Sequence, residues 1–195
     1  MTKIKFCGLK SLDDIYYANK ICPEYVGFVF APKSKRYVAP AQAEKLRNAL
    51  SKKICAVGVF VNEKLSTVAE LLNAGIIDAA QLHGNEDDAY IKNLREFTGK
   101  PIIKAFKIYA AEESLADFIL IDAGAGDGKV FDWSLIKNLR REYFLAGGLT
   151  PENVGDAIKL LKPFAVDVSS GIETDGKKDF KKMTAFAEVV RRENL

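Results

Sequence analysis

The sequence predicts one α/β domain over residues 1–195, a closed barrel of eight parallel strands in (β/α)8 order. Two observations predict this fold. Short apolar runs rich in β-branched residues alternate with segments of helical periodicity, and these runs start about 17 to 30 residues apart. No linker, low-complexity tract or composition shift divides the chain. This alternation favours the closed TIM-type barrel, and an open doubly wound sheet is the alternative that shares the pattern.

Each predicted strand is a run of apolar residues bounded by turn-forming or polar residues. The eight predicted strands are Lys3–Cys7, Val26–Phe30, Ala56–Phe60, Asp78–Leu82, Pro101–Phe106, Phe118–Asp122, Tyr143–Ala146 and Ala165–Val168. The segment Tyr109–Leu115, between the fifth and sixth strands, leaves room for only a turn or two of helix.

Caps and apolar residues three or four positions apart predict the helices. Ser11 and Asp14 resemble a capping box, and Pro40 opens the second helix. Thr150 and Pro151 are expected as the N-cap and first residue of the helix after the seventh strand. The predicted apolar faces are Ala43, Leu46 and Leu50; Leu65, Val68 and Leu72; Ile91, Leu94 and Phe97; Val154, Ala157, Ile158 and Leu161; and Phe180, Met183, Ala187 and Val190.

The composition is that of an ordinary folded enzyme. Hydrophobic residues make up 48% and charged residues 28% of the chain, and the net charge is +3, which excludes a disordered chain and predicts no nucleic-acid partner. The paired cations Lys177-Lys178, Lys181-Lys182 and Arg191-Arg192 are expected on solvated helix surface. Three widely spaced cysteines, with no long apolar segment, predict a cytoplasmic protein without a membrane partner. A single histidine without an acidic cluster predicts no metal site.

Two consecutive strand–loop–helix units near the C-terminus predict a phosphate site. The seventh strand is followed by Gly147-Gly148, and the eighth is followed by Ser169-Ser170-Gly171. Glycine lets an anion approach the backbone closely, and amides that open a helix carry partial positive charge. In a β/α barrel, loops after strands seven and eight often bind phosphate. We therefore predict a phosphate cup formed by the backbone amides of Gly148, Ser169, Ser170 and Gly171, with the serine hydroxyls as possible additions.

Reactive side chains stand at the C-terminal ends of the other predicted strands. Cys7 ends the first strand, Arg36 follows the second, His83 follows the fourth and Asp122 ends the sixth. In a β/α barrel these strand ends meet at one mouth, where catalytic residues are found. The sequence therefore predicts a thiol, a guanidinium, an imidazole and a carboxylate around one site.

Six blocks of the sequence resemble the phosphoribosylanthranilate isomerase family, in the order expected for it. They are K-F-C-G-L at 5–9, G-F-V-F-A-P-K-S-K-R-Y-V at 27–38, Q-L-H-G at 81–84, G-K-V-F-D-W at 128–133, L-A-G-G-L-T-P-E-N-V at 145–154 and D-V-S-S-G-I-E at 167–173. The resemblance implies a cofactor-free aldose–ketose isomerase of tryptophan biosynthesis. Its reaction is the Amadori rearrangement of N-(5-phosphoribosyl)anthranilate to 1-(o-carboxyphenylamino)-1-deoxyribulose 5-phosphate. The only partner expected is this small substrate, for a monomer or a homodimer.

The resemblance makes Asp122 the general acid that opens the furanose ring and Cys7 the base that takes the proton from ribose C2. Both need help from their surroundings, because a free carboxyl group titrates near pH 4 and a free thiol near pH 8.5. A positive local field would favour the Cys7 thiolate. The structural alternatives are a small buried hydrophobe for Cys7 and a helix cap or loop hydrogen bond for Asp122.

Three further residues are expected to bind the substrate. Arg36 is expected to grip the anthranilate carboxylate through two parallel hydrogen bonds, with a solvated loop cation as the alternative. The family places His83 at the mouth without a proton-transfer role, and a structural hydrogen bond is its alternative. Asp167 is expected to face the substrate's amine or hydroxyl groups, or else to orient the Ser169-Ser170 loop.

One departure from the family pattern and three rival functions stay open. Asp127 stands where the family commonly has a small hydroxyl residue, which leaves the role of the nearby Lys129 open. Lys104 in the fifth strand suggests indole-3-glycerol-phosphate synthase, whose chemistry gives Cys7 no task. The histidine-pathway isomerase uses two aspartates, and a cysteine at the first position argues against it. A non-catalytic barrel that binds a phosphate ligand is the alternative from another class.

Overall fold

The structure, a computed structural model, describes residues 1–106, 114–122, 139 and 141–195 of the chain. Eight parallel strands form a closed barrel in the order β1 to β8, and β1 pairs with β8 to close it. The strands are β1 Lys3–Cys7, β2 Tyr25–Val29, β3 Cys55–Phe60, β4 Ala79–Leu82, β5 Ile102–Phe106, β6 Phe118–Asp122, β7 Tyr143–Ala146 and β8 Ala165–Val168. The predicted (β/α)8 barrel is confirmed, and the open sheet is wrong.

Six α-helices and a short hairpin complete the described part of the chain. The helices are α1 Leu12–Ile21, α2 Pro40–Ala49, α3 Leu65–Asn73, α4 Asp88–Arg95, α5 Val154–Leu161 and α6 Phe180–Arg192. A 3₁₀ turn over Ser170–Ile172 precedes the antiparallel hairpin of β9 Glu173–Thr174 and β10 Lys177–Lys178. None of the helices in these residues is long and apolar enough to cross a bilayer.

Local capping chemistry explains where several helices begin. Ser11 and Asp14 form the predicted capping box of α1, and Pro40 occupies the first turn of α2 as predicted. The predicted start of α5 is wrong, because Asn153 rather than Thr150 precedes its first residue. The Thr150 hydroxyl accepts a hydrogen bond from the Glu152 amide within a turn, so the helix starts three residues later than Pro151.

Five predicted strand boundaries, in four strands, move by one residue, and one apolar assignment is wrong. Tyr25 and Cys55 join the ladder, where they pair with each other across β2 and β3. Asp78 lies just before β4 and is not part of the strand. Its carboxylate accepts a hydrogen bond from the Ala56 amide. Phe97 was predicted on the apolar face of α4, but that helix ends at Arg95 and the Phe97 side chain is 57% exposed.

The barrel interior is apolar at the N-terminal end and polar toward the mouth. Phe144 is fully buried there and contacts the rings of Tyr25, Phe118 and Phe164. Alternate residues of a strand face the same side, so the inward positions two residues further along each strand lie closer to the mouth. On β6 this rule places Asp122 beyond the inward-facing Leu120. Apolar packing therefore supports a polar layer above it.

Candidate active site

A cavity of about 490 Å³ opens at the C-terminal ends of the strands. Its lining includes the predicted site residues Cys7, Arg36, His83, Asp122, Gly148, Asp167, Ser169 and Ser170. A larger cavity of about 720 Å³ lies at the opposite end, beside Thr2, Tyr143 and Phe164. We assign the site to the smaller cavity, because β/α barrels carry out their chemistry at the strand C-termini.

Cys7 ends β1 with its thiol packed against the backbone of β2. A Cβ atom added at Gly27 would lie 2.8 Å from the Cys7 sulfur, so only glycine leaves space for the thiol there. Burial raises the pKa of the Cys7 thiol above its ordinary value and outweighs the opposing charges of Lys5 and Lys178. The positive field that the sequence led us to expect is present, but burial has the larger effect on the pKa of the thiol.

A chain of polar contacts crosses the barrel from β8 to β6, and we call it the polar chain. The Lys5 ammonium donates to Asp167 Oδ2 and to Gln81 Oε1, both at 2.8 Å. Gln81 Nε2 and His83 Nδ1 are 2.9 Å apart, and His83 Nε2 lies 3.3 Å from Asp122 Oδ2. The polar chain therefore runs across the barrel in the order Asp167, Lys5, Gln81, His83 and Asp122.

The polar chain assigns the tautomer of His83. Gln81 Oε1 accepts from an ammonium group, so its amide nitrogen is the atom that donates to His83 Nδ1. In the neutral ring the hydrogen then lies on Nε2, the ring nitrogen that is 3.3 Å from Asp122 Oδ2. His83 is thus placed beside the carboxyl group of Asp122.

The loop that carries His83 is anchored by buried charges. The Glu86 carboxylate accepts hydrogen bonds from the backbone amides of Asn62, at 2.6 Å, and Gly84, at 2.8 Å. Lys104, also buried, donates to the Gly84 carbonyl at 2.7 Å. The Lys104 ammonium therefore holds a loop, which removes the observation that suggested indole-3-glycerol-phosphate synthase.

Arg36 and Lys178 both bind the carboxylate of Glu173. Arg36 donates through Nε and Nη2 at 2.7 and 2.8 Å, and Lys178 donates at 2.7 Å. Burial opposes ionisation of Glu173, but the hydrogen bonds and charges of these two cations lower its pKa to about 2. Gly8 makes room for Arg36, because a Cβ atom at Gly8 would lie 2.3 Å from Arg36 Cδ. The guanidinium is thus fixed at the edge of the cavity.

The two loops of the phosphate cup touch each other at Gly171. A Cβ atom at Gly171 would lie 1.9 Å from the Leu149 carbonyl oxygen, closer than any side chain tolerates. Gly148 has a φ of +65°, a conformation that favours glycine. The Ser169 hydroxyl donates to the Cys7 carbonyl at 3.0 Å, which ties the cup to the strand that bears the thiol.

Comparison with known proteins identifies the family. The family model described as N-(5'phosphoribosyl)anthranilate (PRA) isomerase matches residues 4–189. The chain belongs to the phosphoribosylanthranilate isomerase family. The enzyme of that name from Endomicrobium trichonymphae is 44% identical over 200 residues, covering 98% of this chain and 99% of the relative.

Solved structures of family members have the same fold. Monomers of the dimeric phosphoribosylanthranilate isomerase from Thermotoga maritima are 36% identical, with a TM-score of 0.86 and coverage of 98% of this chain and 100% of the other. A phosphoribosylanthranilate isomerase in complex with reduced 1-(o-carboxyphenylamino)-1-deoxyribulose 5-phosphate gives the same TM-score, identity and coverage. The recognition of this family from the sequence is therefore confirmed.

Sequence reasoning gave no role to Lys5, Gln81, Glu173 or Lys178. The sequence did contain a signal for Lys5. It lies two residues before Cys7 on the same strand, so the two side chains face the same side of the sheet. The assignment of Lys178 to solvated helix surface is wrong. Lys178 lies in β10, is only 7% exposed and donates to the Ser169 carbonyl at 2.9 Å as well as to Glu173. Asp127, Lys129 and the block at 128–133 lie outside the described residues.

Replacement of Glu173 by glutamine should destabilise the protein in a pH-dependent way. The folded-state pKa lies below the ordinary value of 4.5, so the pairing stabilises the fold above that pH and loses its effect as the pH falls toward about 2. Allowing for solvent near this loop, Glu173→Gln should lower the free energy of unfolding at pH 7 by about 1 to 2 kcal/mol. Urea unfolding at pH 7, 4 and 3 should show the difference from the parent shrinking with acid.

The matched control is Glu44→Gln, which removes an exposed carboxylate from α2 and should change the unfolding free energy little. Equal stability of the Glu173 and Glu44 variants at pH 7 would contradict the account of the Glu173 pairing.

Proposed function

We propose that this chain catalyses the Amadori rearrangement of N-(5-phosphoribosyl)anthranilate, with Asp122 as the acid and Cys7 as the base. The observation that carries the assignment is the order of groups around one cavity. Asp122 ends β6, the phosphate cup follows β7 and β8, and Cys7 ends β1, which closes the barrel against β8. A sugar whose phosphate lies in the cup therefore has the acid on one side and the thiol on the other.

Asp122 acts first, on the ring oxygen of the ribose. Its carboxyl proton passes to that oxygen as the bond to C1 breaks, and the nitrogen lone pair forms a protonated imine. His83 supports this step, because its Nε2–H group lies 3.3 Å from Asp122 Oδ2 and its positive end stabilises the carboxylate that results. A positioned acid of this kind contributes about 10² to 10⁴ in rate.

Cys7 then takes the proton from C2. The C2–H bond breaks, the S–H bond forms, and the electron pair moves toward the imine to give an enolamine that tautomerises to the aminoketone. The cationic imine favours a thiolate nearby, so substrate opposes the effect of burial on the pKa of the thiol. The thiol thus becomes basic at the stage when a base is needed.

Arg36 and Asp167 are proposed to bind the anthranilate end and the reacting centre. Two of the five N–H donors of the Arg36 guanidinium bind Glu173, and the other three have no partner among the described residues. Arg36 can therefore bind the anthranilate carboxylate while Glu173 holds it in place. Asp167 Oδ1 is buried without a hydrogen-bond partner in the same residues, as expected of an acceptor for the substrate's amine or hydroxyl groups.

The site needs one chain and no cofactor. Every residue proposed for it comes from a single barrel, so a monomer and a homodimer are equally compatible with this chemistry. The three cysteines are free, which agrees with the reducing cytoplasmic setting that we propose.

Loss of either proton-transfer group should abolish most turnover. Cys7→Ala and Asp122→Asn should each lower kcat by about 10² to 10⁴ with the fold retained, because each removes one proton-transfer step. The measurement is the decay of anthranilate-derived fluorescence after freshly made phosphoribosylanthranilate is added to the purified protein. Cys22→Ala is the matched control, since Cys22 is exposed beyond the end of α1.

Conversion by the parent and by the control, but not by the two variants, is the expected result. If the folded parent gave no conversion, the isomerase would be rejected in favour of a barrel that only binds a phosphate ligand. If Cys7→Ala kept near-normal turnover, a different base would be needed.

Separation of the two cup loops should weaken substrate binding. Gly171→Ala forces its Cβ against the Leu149 carbonyl, so the amides that hold the phosphate move apart. We expect KM to rise about tenfold or more, which is a loss of at least about 1.4 kcal/mol of binding. Gly99→Ala is the control, because a Cβ there meets no atom of the described residues within 4 Å. An unchanged KM in Gly171→Ala would exclude this loop from phosphate binding.

A further inference from the structure

Lys5 is a fully buried ammonium group inside the barrel, and the reaction proposed above gives it no task. Its side chain has no solvent exposure. Removing a cation from water is unfavourable unless hydrogen bonds and an opposite charge compensate. Asp167 supplies that charge at 2.8 Å, and Gln81 supplies a second acceptor at 2.8 Å. These contacts fix the ammonium group in one place.

That place is next to Cys7. The two residues are two positions apart on β1, so their side chains share the side of the strand that faces the barrel interior. An ammonium group has three N–H donors, and Asp167 and Gln81 use two of them. The third is left for the next inward-facing side chain on β1, that of Cys7, and the Lys5 charge favours the thiolate there.

Four charged groups from four elements act on the Cys7 sulfur or lie beside it. They are Lys5 of β1, Asp167 of β8, Lys178 of β10 and Arg36 of the loop after β2. The Lys178 ammonium group donates hydrogen bonds to Glu173, to the Ser169 carbonyl and, at 3.4 Å, to the Ser169 hydroxyl. Lys178 therefore has no donor left for the sulfur, and the free donors of Arg36 are those assigned above to the anthranilate carboxylate. Lys5 retains one donor and shares the inward face of β1 with Cys7.

We propose that Lys5 is a positioning residue for the base, and that its ammonium group stabilises the Cys7 thiolate while Asp167 and Gln81 hold it in place. This inference rests on the proposed function, in which Cys7 accepts the C2 proton. During that step the proton moves from carbon to sulfur and Lys5 keeps all its protons. The ammonium charge therefore faces an anion before the transfer and a neutral thiol after it. Lys5 makes the thiolate available without touching the substrate.

The test measures ionisation of Cys7 directly, without substrate. The chain has three cysteines, so the double substitution Cys22→Ser/Cys55→Ala leaves Cys7 as its one thiol. The rate of its alkylation by iodoacetamide is followed against pH, because only the thiolate reacts. Lys5→Met removes the charge and keeps an unbranched side chain. Its matched control is Lys3→Met on the same strand, where the ammonium lies 4.1 Å from the Phe164 ring centre.

Lys5→Met should move the midpoint of the alkylation profile upward by about one pH unit or more, since a nearby opposite charge shifts a pKa by about that much. Lys3→Met should keep the midpoint of the background protein. Lys5→Met leaves the Asp167 carboxylate buried without its cation, so Lys5→Met/Asp167→Asn is the second variant. The double variant should also move the midpoint upward, but by less than Lys5→Met alone. It removes both the Lys5 charge, which lowers the pKa of Cys7, and the weaker effect of Asp167, which raises it.

An unchanged midpoint in folded Lys5→Met, or in the double variant if the single one does not fold, would overturn the proposal. Near-ultraviolet circular dichroism establishes that each variant is folded. The alkylation result stands whether or not the protein converts phosphoribosylanthranilate, so failure of the isomerase and failure of this inference are distinguished. In the isomerase assay Lys5→Met should lower kcat and move the acidic limb of its pH profile upward, with little change in KM.

Discussion

The ion pair between Lys5 and Asp167 joins the first and last strands where the barrel closes. The two residues are direct partners in the β1–β8 ladder, and their side chains meet at 2.8 Å inside the barrel. Breaking a buried pair of this kind by removing one partner is strongly destabilising, because it leaves an uncompensated charge. A shift of β8 by one residue relative to β1 would turn Asp167 out of the interior and separate it from Lys5. The pair is thus tied to the register that closes the barrel.

The chemistry of the mouth depends on the same pair. Lys5 connects through Gln81 and His83 to Asp122, so the group assigned as the acid and the strand bearing the thiol share one network of polar contacts. Below this network the aromatic packing around Phe144 fills the barrel. A low-dielectric floor strengthens the polar interactions above it. Fold stability and the placement of the reactive groups therefore have a common physical origin.

The sequence could predict the strand ends because parallel strands bring their C-terminal residues to one mouth. It could not show that Gln81 faces Lys5, since that contact joins β1 to β4 and depends on the register of the strands between them. Lys178 was misjudged for a different reason. Asp175 and Gly176, with φ of +50° and +73°, turn the chain back so that Lys178 pairs with Glu173. An Asp-Gly pair is a hairpin signal, so this contact was open to prediction.

A crystal structure of this chain with the reduced form of the product tests the central claim most directly. The account predicts the phosphate on the backbone amides of the cup. It also predicts that ribulose C2 lies in contact with the Cys7 sulfur, within about 4 Å, and that Asp122 lies on the opposite side of the sugar. A phosphate bound away from Gly148 and Ser170, or a C2 atom out of reach of Cys7, would contradict it.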